Sequence, residues 1–363
     1  MSVLFGAIGM ADSELPFVTI EGQELMWQET QRVFQQWNQD MEAATQLFVQ
    51  MTTENHKERY ELPGGGDAQE EDNSSGAHES ASVKRSGSWD VAYPLFQLGD
   101  SLSYDDVGLA HLTLGQYDAH IQTVLNRNNN ATFTRILKPI FHNTNQTFTD
   151  NVFGALTLVP LANGDATVYP PVYGSTTEAT EQFYVGTAYA ESAISNTNNP
   201  FITIRDLLEP HYGFPEGGSP IVTLCNKSTV PYARALAGFD EYTNRFNDPG
   251  DDITTLTGLP ALPPGMRIVG VESVASNIIV EWPRMPSGYL IGLHLDAPKP
   301  LKRRKDMART GLQPGLQLVT KTVGQPYQTS RWRNRQGFGV GNRLGAVVVQ
   351  LSGTSSYSIP TGY

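Results

Sequence analysis

The sequence predicts an α+β protein, because helical and strand patterns occupy separate blocks of the chain. Apolar residues recur at spacings near three and four across residues 24–51 and again across 113–141, the period of an amphipathic helix. Beyond residue 155, short runs of β-branched and aromatic residues take over. The cleanest is Tyr289, Ile291, Leu293 and Leu295 alternating with Leu290, Gly292, His294 and Asp296, the period of a strand.

The first helix is expected over residues 24–51, with Met26, Val33, Trp37, Met41, Ala44, Phe48 and Met51 in one stripe and Gln, Asn, Glu and Asp opposite. An isolated helix cannot bury that stripe on itself, so it packs on the chain's own body or on a neighbour. Residues 64–76 combine glycine with Asp67, Glu70, Glu71 and Asp72 and hold nothing to bury, which predicts disorder in isolation. On either side, Arg59-Tyr60-Glu61-Leu62 and the alternating Trp89, Val91, Tyr93 and Leu95 read as the two strands of a long arm with a flexible tip. Such an arm is marginal by itself in water.

A second, longer helix is expected over residues 113–141. Leu114, Tyr117, Ile121, Val124, Leu125, Phe133, Ile136, Leu137 and Ile140 keep one face in register across Asn128, Asn129 and Asn130, giving a length of roughly 40 Å. Pro139 should bend its last turns by removing an amide donor. Residues 156–161 and 167–169 flank an Asn163-Gly164 turn and predict a hairpin. Further on, a short helix is expected at 204–212 and strands at 221–225, 267–271 and 278–282, separated by loops rich in Pro, Gly and Asp such as 246–252 and 259–265.

With 363 residues and 39% hydrophobic content the chain has ample material for a core. Its longest apolar runs, such as 346–349, fall far short of the ~20 residues that span a bilayer, so no transmembrane helix and no membrane partner are expected. The first residues lack a basic stretch and meet Asp12 early, so synthesis in a cytoplasm without a secretory signal is expected. Cys225 is the only cysteine, which excludes an intrachain disulfide and a cysteine-based zinc site.

The net charge is −12, unevenly spread: residues 1–83 hold 15 Asp/Glu and 3 Lys/Arg, whereas residues 299–363 hold 1 and 11. Opposed blocks suit copies that meet head to tail, since complementary potentials steer association and fix register. A solvated acidic arm beside an unrelated basic strand region is the plainer alternative. The basic end alone is a poor nucleic-acid surface, because the whole molecule repels a polyanion.

No catalytic constellation is present in the motifs. The seven histidines form no His-Glu-x-x-His pair, and neither a Gly-x-Ser-x-Gly elbow nor a Gly-Lys-Ser/Thr phosphate loop occurs. Gly337, Gly339, Gly341 and Gly345 precede a strand-like run rather than a helix, so closely packed strand glycines explain them better than a dinucleotide fingerprint. Asp248, Asp251 and Asp252 cluster in a turn that lacks the ligand order of a calcium loop. No cofactor or metal is expected. Paired carboxylates for glycoside chemistry need only meet in space and stay open at this level.

The order of parts resembles the Hong Kong 97-type fold of tailed-phage major capsid proteins, siphophage-like in pattern and shared with encapsulin shells. Gly87-Ser88-Trp89-Asp90-Val91-Ala92-Tyr93-Pro94-Leu95 looks like the return strand of that family's extended loop, and residues 113–141 look like its spine helix. Phe148-Thr149-Asp150 leading into Leu161-Ala162-Asn163-Gly164-Asp165, and the closing Arg335-Gln336-Gly337-Phe338-Gly339-Val340-Gly341-Asn342-Arg343, are similar to local patterns of the same family.

The resemblance implies an N-terminal arm at 1–55, an extended loop at 56–105, a peripheral domain at 106–178 and 298–363, and an axial domain at 179–297. It implies a non-enzymatic subunit that assembles with itself into hexamers and pentamers of an icosahedral shell around double-stranded DNA, in a virion assembled in a bacterial cytoplasm. A separate scaffolding protein, a portal and decoration proteins are the further partners implied. Expected intersubunit contacts are Met26, Val33, Trp37 and Phe48 on the helical stripe, Glu70, Glu71 and Asp72 at the acidic tip, Trp89 and Tyr93 on the arm, and Arg303, Arg304, Arg331 and Arg333 on the basic face. An encapsulin-like compartment is the alternative within the fold; a strand-rich polysaccharide hydrolase and a virion decoration protein are the alternatives outside it.

Overall fold

A computed structural model describes residues 23–63, 85–163, 184–209, 221–241, 262–295, 297–322 and 327–363. The acidic tip with Glu70, Glu71 and Asp72, the expected Asn163-Gly164 hairpin turn and the Asp248–Asp252 cluster fall wholly or partly outside them.

Helix α1 (Gln23–Thr45) carries the expected stripe but is shorter than its spacing implied. Turns close from the Gln46 amide to the Ala43 carbonyl and from the Phe48 amide to the Thr45 carbonyl, and the chain re-emerges as strand β1 (Val49–Thr53). Phe48 and Met51 continue the helical spacing only by coincidence: Phe48 is buried in the core, whereas Met51 is 50% exposed on a strand. Strands β2 (Lys57–Pro63) and β3 (Arg85–Ala92) pair antiparallel as a separate two-stranded sheet, the expected arm. Strand β4 (Phe96–Asp105) follows, then a single turn, α2 (Asp106–Ala110).

Helix α3 (Leu114–Phe141) is one unbroken helix of 28 residues. Thr113 caps it: its hydroxyl accepts the Gln116 amide at 3.3 Å while the Gln116 side chain accepts the Thr113 amide at 3.1 Å, so two otherwise unpaired donors are satisfied reciprocally. Asn128, Asn129 and Asn130 do not break it, and it runs through Pro139 to end at His142.

Strands β5 (Gln146–Asp150) and β6 (Gly154–Leu158) form a hairpin, so the 156–161 run pairs with the strand before it. Strand β7 (Tyr184–Thr187) precedes α4 (Pro200–Leu208), whose N-cap Asn199 accepts the Phe201 amide and whose Pro200 sits where no amide donor is needed. Then come β8 (Ile221–Cys225), the single turn α5 (Val230–Arg234), β9 (Phe239–Glu241), β10 (Arg267–Glu272), β11 (Asn277–Glu281), β12 (Tyr289–His294), β13 (Leu301–Arg304), β14 (Gly315–Thr322), β15 (Tyr327–Val340) and β16 (Ala346–Leu351).

Seven strands form a sheet in the order β7-β16-β12-β8-β11-β10-β9, and five form another in the order β1-β13-β15-β14 with β4 also on β15. Every residue of β8, β12 and β16 is buried. The strand read from the alternation at 289–296 is a central one covered on both faces. Gly292 is the exception in that run for a steric reason: a Cβ there would lie 2.2 Å from Ile204 of α4. Although β16 belongs to the 298–363 segment expected to return to the peripheral domain, it is an inner strand of the seven-stranded sheet, between β7 and β12.

Trp282 joins the layers, its ring 5.8 Å from Phe48 and 5.5 Å from Phe133 of α3. A smaller apolar cluster of Phe34, Ile121, Val124, Leu125, Leu316 and Trp332 binds α1 and α3 to the five-stranded sheet.

Candidate functional site

The basic strand β13 holds together the elements that project from the two sheets. Side chains alternate across a strand, so Lys302 and Arg304 share the face toward the arm while Arg303 points to the opposite one. Lys302 Nζ donates to Glu58 Oε2 of the arm at 2.7 Å. Arg303 donates to Glu42 Oε1 of α1 and to Thr52 Oγ1 of β1, both at 3.1 Å. The Arg304 guanidinium, 3% exposed, donates to the Tyr93 carbonyl at 2.8 Å and pairs with Asp150 of the β5–β6 hairpin at 2.9 Å. These meetings follow from the parallel pairing of β1 with β13, which sets Thr52 beside Arg303 and Thr53 beside Arg304.

Glu58 is the most heavily hydrogen-bonded carboxylate at the base of the arm. It accepts from Lys302, from Tyr93 Oη at 2.9 Å, Tyr60 Oη at 3.0 Å, and Asn55 Nδ2 and Thr53 Oγ1 at 3.2 Å. Burial raises its pKa, but the hydrogen bonds from Lys302, Asn55, Tyr93 and Tyr60 together outweigh burial and hold it down at about 2. Burial likewise acts against the Lys302 ammonium, and Glu58 and Tyr60 reverse it, leaving its pKa above the ordinary lysine value. Asp150 resolves the same conflict: burial opposes its charge, while the Val152 and Phe153 amides at 2.8 and 3.1 Å and Arg304 keep its pKa low. Further along the arm, Asp90 is held well below the usual carboxylate range by Arg59 and Lys57.

On β15, Trp332, Asn334 and Gln336 are buried toward α1 and α3, so Arg331, Arg333 and Arg335 share the opposite face. Arg335 forms a two-pronged pair with Asp306 at 2.7 and 3.0 Å. Arg331 and Arg333 have no ion-pair partner among the described residues. Beside them, Gln97, Gly99, Ser101 and Ser103 of β4 are exposed, in register with Arg335, Arg333, Arg331 and Thr329. The result is a flat polar sheet face bearing two unpaired guanidinium groups.

Of the side chains expected to meet a neighbour, Phe48, Tyr93 and Arg304 are buried within the chain, Tyr93 bonded to Glu58 and Arg304 to the Tyr93 carbonyl and Asp150. Arg303 is largely occupied by Glu42 and Thr52. Met26 and Trp37 are half-buried, with Trp37 packed against both apolar clusters. Val33 is 36% and Leu25 49% exposed on α1, separated by the exposed Glu29–Arg32 ion pair. For Trp89 the structure describes the backbone, paired with Tyr60.

The opposed charge blocks also need correcting. Lys302–Glu58, Arg303–Glu42 and Lys305–Glu54 join the acidic and basic ends inside one chain, so part of their complementarity is spent there. The basic run 302–305 was legible as a charged face; that each residue serves a different element was not. Strand alternation separates neighbouring side chains but does not say which carboxylate each one finds.

The buried carboxylates Asp150, Glu272 and Asp306 are each paired or hydrogen-bonded by protein groups, Glu272 by the Ala275 amide at 2.7 Å and Asn199 at 3.3 Å. Among the described residues no group of three or more His, Cys, Asp or Glu is placed to hold a metal. Cys225 is buried, and burial pushes its thiol up to about 12.

No family model and no curated protein matches the sequence. Solved structures do match the fold. A chain from Mycobacterium phage Patience, 20% identical, aligns over 98% of this chain and 97% of its own length with a TM-score of 0.66. The mature capsid asymmetric unit of bacteriophage PhiM1 aligns over 84% of this chain and 86% of its own at 9% identity and TM-score 0.49. The capsid structure of the cyanophage P-SCSP1u gives 84%, 86%, 11% and 0.47. The fold is the Hong Kong 97-type that the order of parts resembled.

Proposed function

We propose that this chain is the major capsid protein of a tailed bacterial virus, a structural subunit that assembles with itself into the hexamers and pentamers of an icosahedral shell around double-stranded DNA. The observation that carries the proposal is the fold held in common with a phage chain along practically its whole length. The geometry supports it. The β2–β3 arm is a two-stranded sheet held at its base by Glu58, Tyr93 and Lys302, and such a ribbon gains stability by lying on another surface. The face bearing Arg331 and Arg333 and the exposed Leu25 and Val33 of α1 are two surfaces that a neighbouring copy covers. The acidic tip containing Glu70, Glu71 and Asp72 supplies the charge that Arg331 and Arg333 lack.

In this reading residues 1–55 and 56–105 act as arm and extended loop, 106–178 and 298–363 form the peripheral region, and 179–297 the axial region. The subunit catalyses no reaction, works in the virion, and is assembled in the bacterial cytoplasm on a separate scaffold, with portal and decoration proteins as further partners. Its net negative charge keeps packaged DNA from adhering to the wall.

Negative-stain microscopy of the purified protein tests this. Closed angular particles of uniform size are expected, and a monomer that persists at every concentration and salt would contradict it. Particles that carry enzyme cargo in place of nuclease-protected DNA would instead identify an encapsulin-like compartment.

A further inference from the structure

Strand β15 and helix α3 face each other through two matched ladders of side chains. On the strand, Trp332, Asn334, Gln336 and Phe338 are buried at two-residue spacing. On the helix, Val124, Asn128, Thr132 and Ile136 recur every fourth residue, all buried except the half-buried Asn128. Two residues of strand rise about 6.6 Å and four of helix about 6 Å, so the rungs stay nearly level. The outer rungs are apolar: Trp332 and Val124 belong to the smaller cluster, Phe338 and Ile136 to the main core. The two between them are polar. Asn334 Nδ2 donates to Asn128 Oδ1 at 3.2 Å, and Gln336 Nε2 to Thr132 Oγ1 at 3.0 Å. A polar layer thus lies between the two apolar clusters along α3, and it gives Asn128 a role in a helix that asparagine does not favour.

Protein groups alone do not satisfy this layer. Asn334 is 3% exposed, and its Oδ1 has no partner among the described residues. Turning both amides over would leave Nδ2 unpaired instead, because Asn128 matches only one of the two atoms. One rung away the Trp332 indole Nε1, on a side chain equally buried, is also unpaired among the described residues. Buried polar groups in folded proteins are bonded to protein or to ordered water. Both residues line a crevice with room for the second. Asn334 lines one of about 80 Å³ together with Glu42, Thr45, Asn128 and Thr132. Trp332 lines one of about 140 Å³ together with Asp100, Arg127 and Asn128. A water molecule needs roughly 10–15 Å³ of such space and two to four polar partners, and each crevice supplies both.

We propose that ordered water completes the layer, one molecule bonded to Asn334 and one to Trp332, so that α1, α3 and β15 meet through a hydrated seam. The seam lies within one chain, and the proposal stands or falls apart from the shell reading. The test is a density map of the full chain, from crystals or from assembled particles, fine enough to show water. Peaks are expected within about 2.7–3.2 Å of Asn334 Oδ1 and of Trp332 Nε1, each with a second polar neighbour from its crevice. Crevices without peaks, or protein groups bonded to both atoms, would overturn the proposal. The double variant Asn128→Leu/Asn334→Leu keeps side-chain shape and removes the polar pair. The peak beside position 334 is expected to vanish in its map. Undiminished density there would show that the pair does not hold the water, and would overturn the assignment. Should the double variant fail to fold, the map of the unmodified chain decides alone.

Discussion

Glu58 shows how a single residue converts chain topology into an anchor. Its folded pKa of about 2 lies below the ordinary 4.5, so its contribution to stability is complete above pH 4.5 and is lost as pH falls through 2. The variant Glu58→Gln should lower subunit stability by about 1–3 kcal/mol at neutral pH and flatten the acid limb of stability between pH 4.5 and 2. Urea unfolding of the unassembled subunit across that range measures both. Arg304 and Arg331 make a contrast of a different kind. Arg304→Met leaves Asp150 buried without its counter-charge and should cost about 3–5 kcal/mol. Arg331→Met removes an exposed, unpaired charge and should change subunit stability by less than about 0.5 kcal/mol, while reducing the yield of assembled particles. Equal destabilisation by the two would show that burial does not distinguish their roles.

At the scale of elements, packing decides where local preference ends. The long helix was legible from its nine-residue apolar face, and the structure adds a Thr113–Gln116 capping box that agrees with it. The end of α1 was not legible: Phe48 and Met51 keep helical spacing, and only the pairing of β1 with β13 reveals that they sit on a turn and a strand. The partner of the strand at 154–158 was not legible for a related reason. The Asn163-Gly164 dipeptide is a strong local turn signal, yet 154–158 pairs through the Asp150 turn, where the carboxylate gathers two amides. Basic residues at the site were legible as a group and their partners were not, because strand period assigns faces and not neighbours. Gly337 and Gly339 are strand glycines as read, whereas Gly341 and Gly345 lie in the loop after β15, and Gly337 shows why a glycine is needed. A Cβ there would lie 2.0 Å from the Pro94 carbonyl oxygen, a backbone atom that cannot swing aside. Gly337→Ala should therefore displace β15 from the base of the arm and destabilise the subunit, seen as a lowered urea midpoint and faster amide exchange around Tyr93 and Pro94.

For the whole molecule, one continuous core spans the seven-stranded sheet, α3 and the α1–β1 turn, and the arm extends from it on a few polar contacts. This division of stability is what a subunit designed to complete itself on its neighbours requires. In the proposed shell, core strands are secure in one copy and the arm gains its support from the next. Amide hydrogen exchange, compared between the unassembled subunit and the closed particle, reads that division directly. Amides of β8, β12 and β16 should be protected in both states, whereas those of β2 and β3 should exchange rapidly in the free subunit and become protected on assembly. Equal protection of β2 and β3 in both states would mean that the arm is complete within one chain, and would contradict assembly through neighbouring copies as the purpose of this fold.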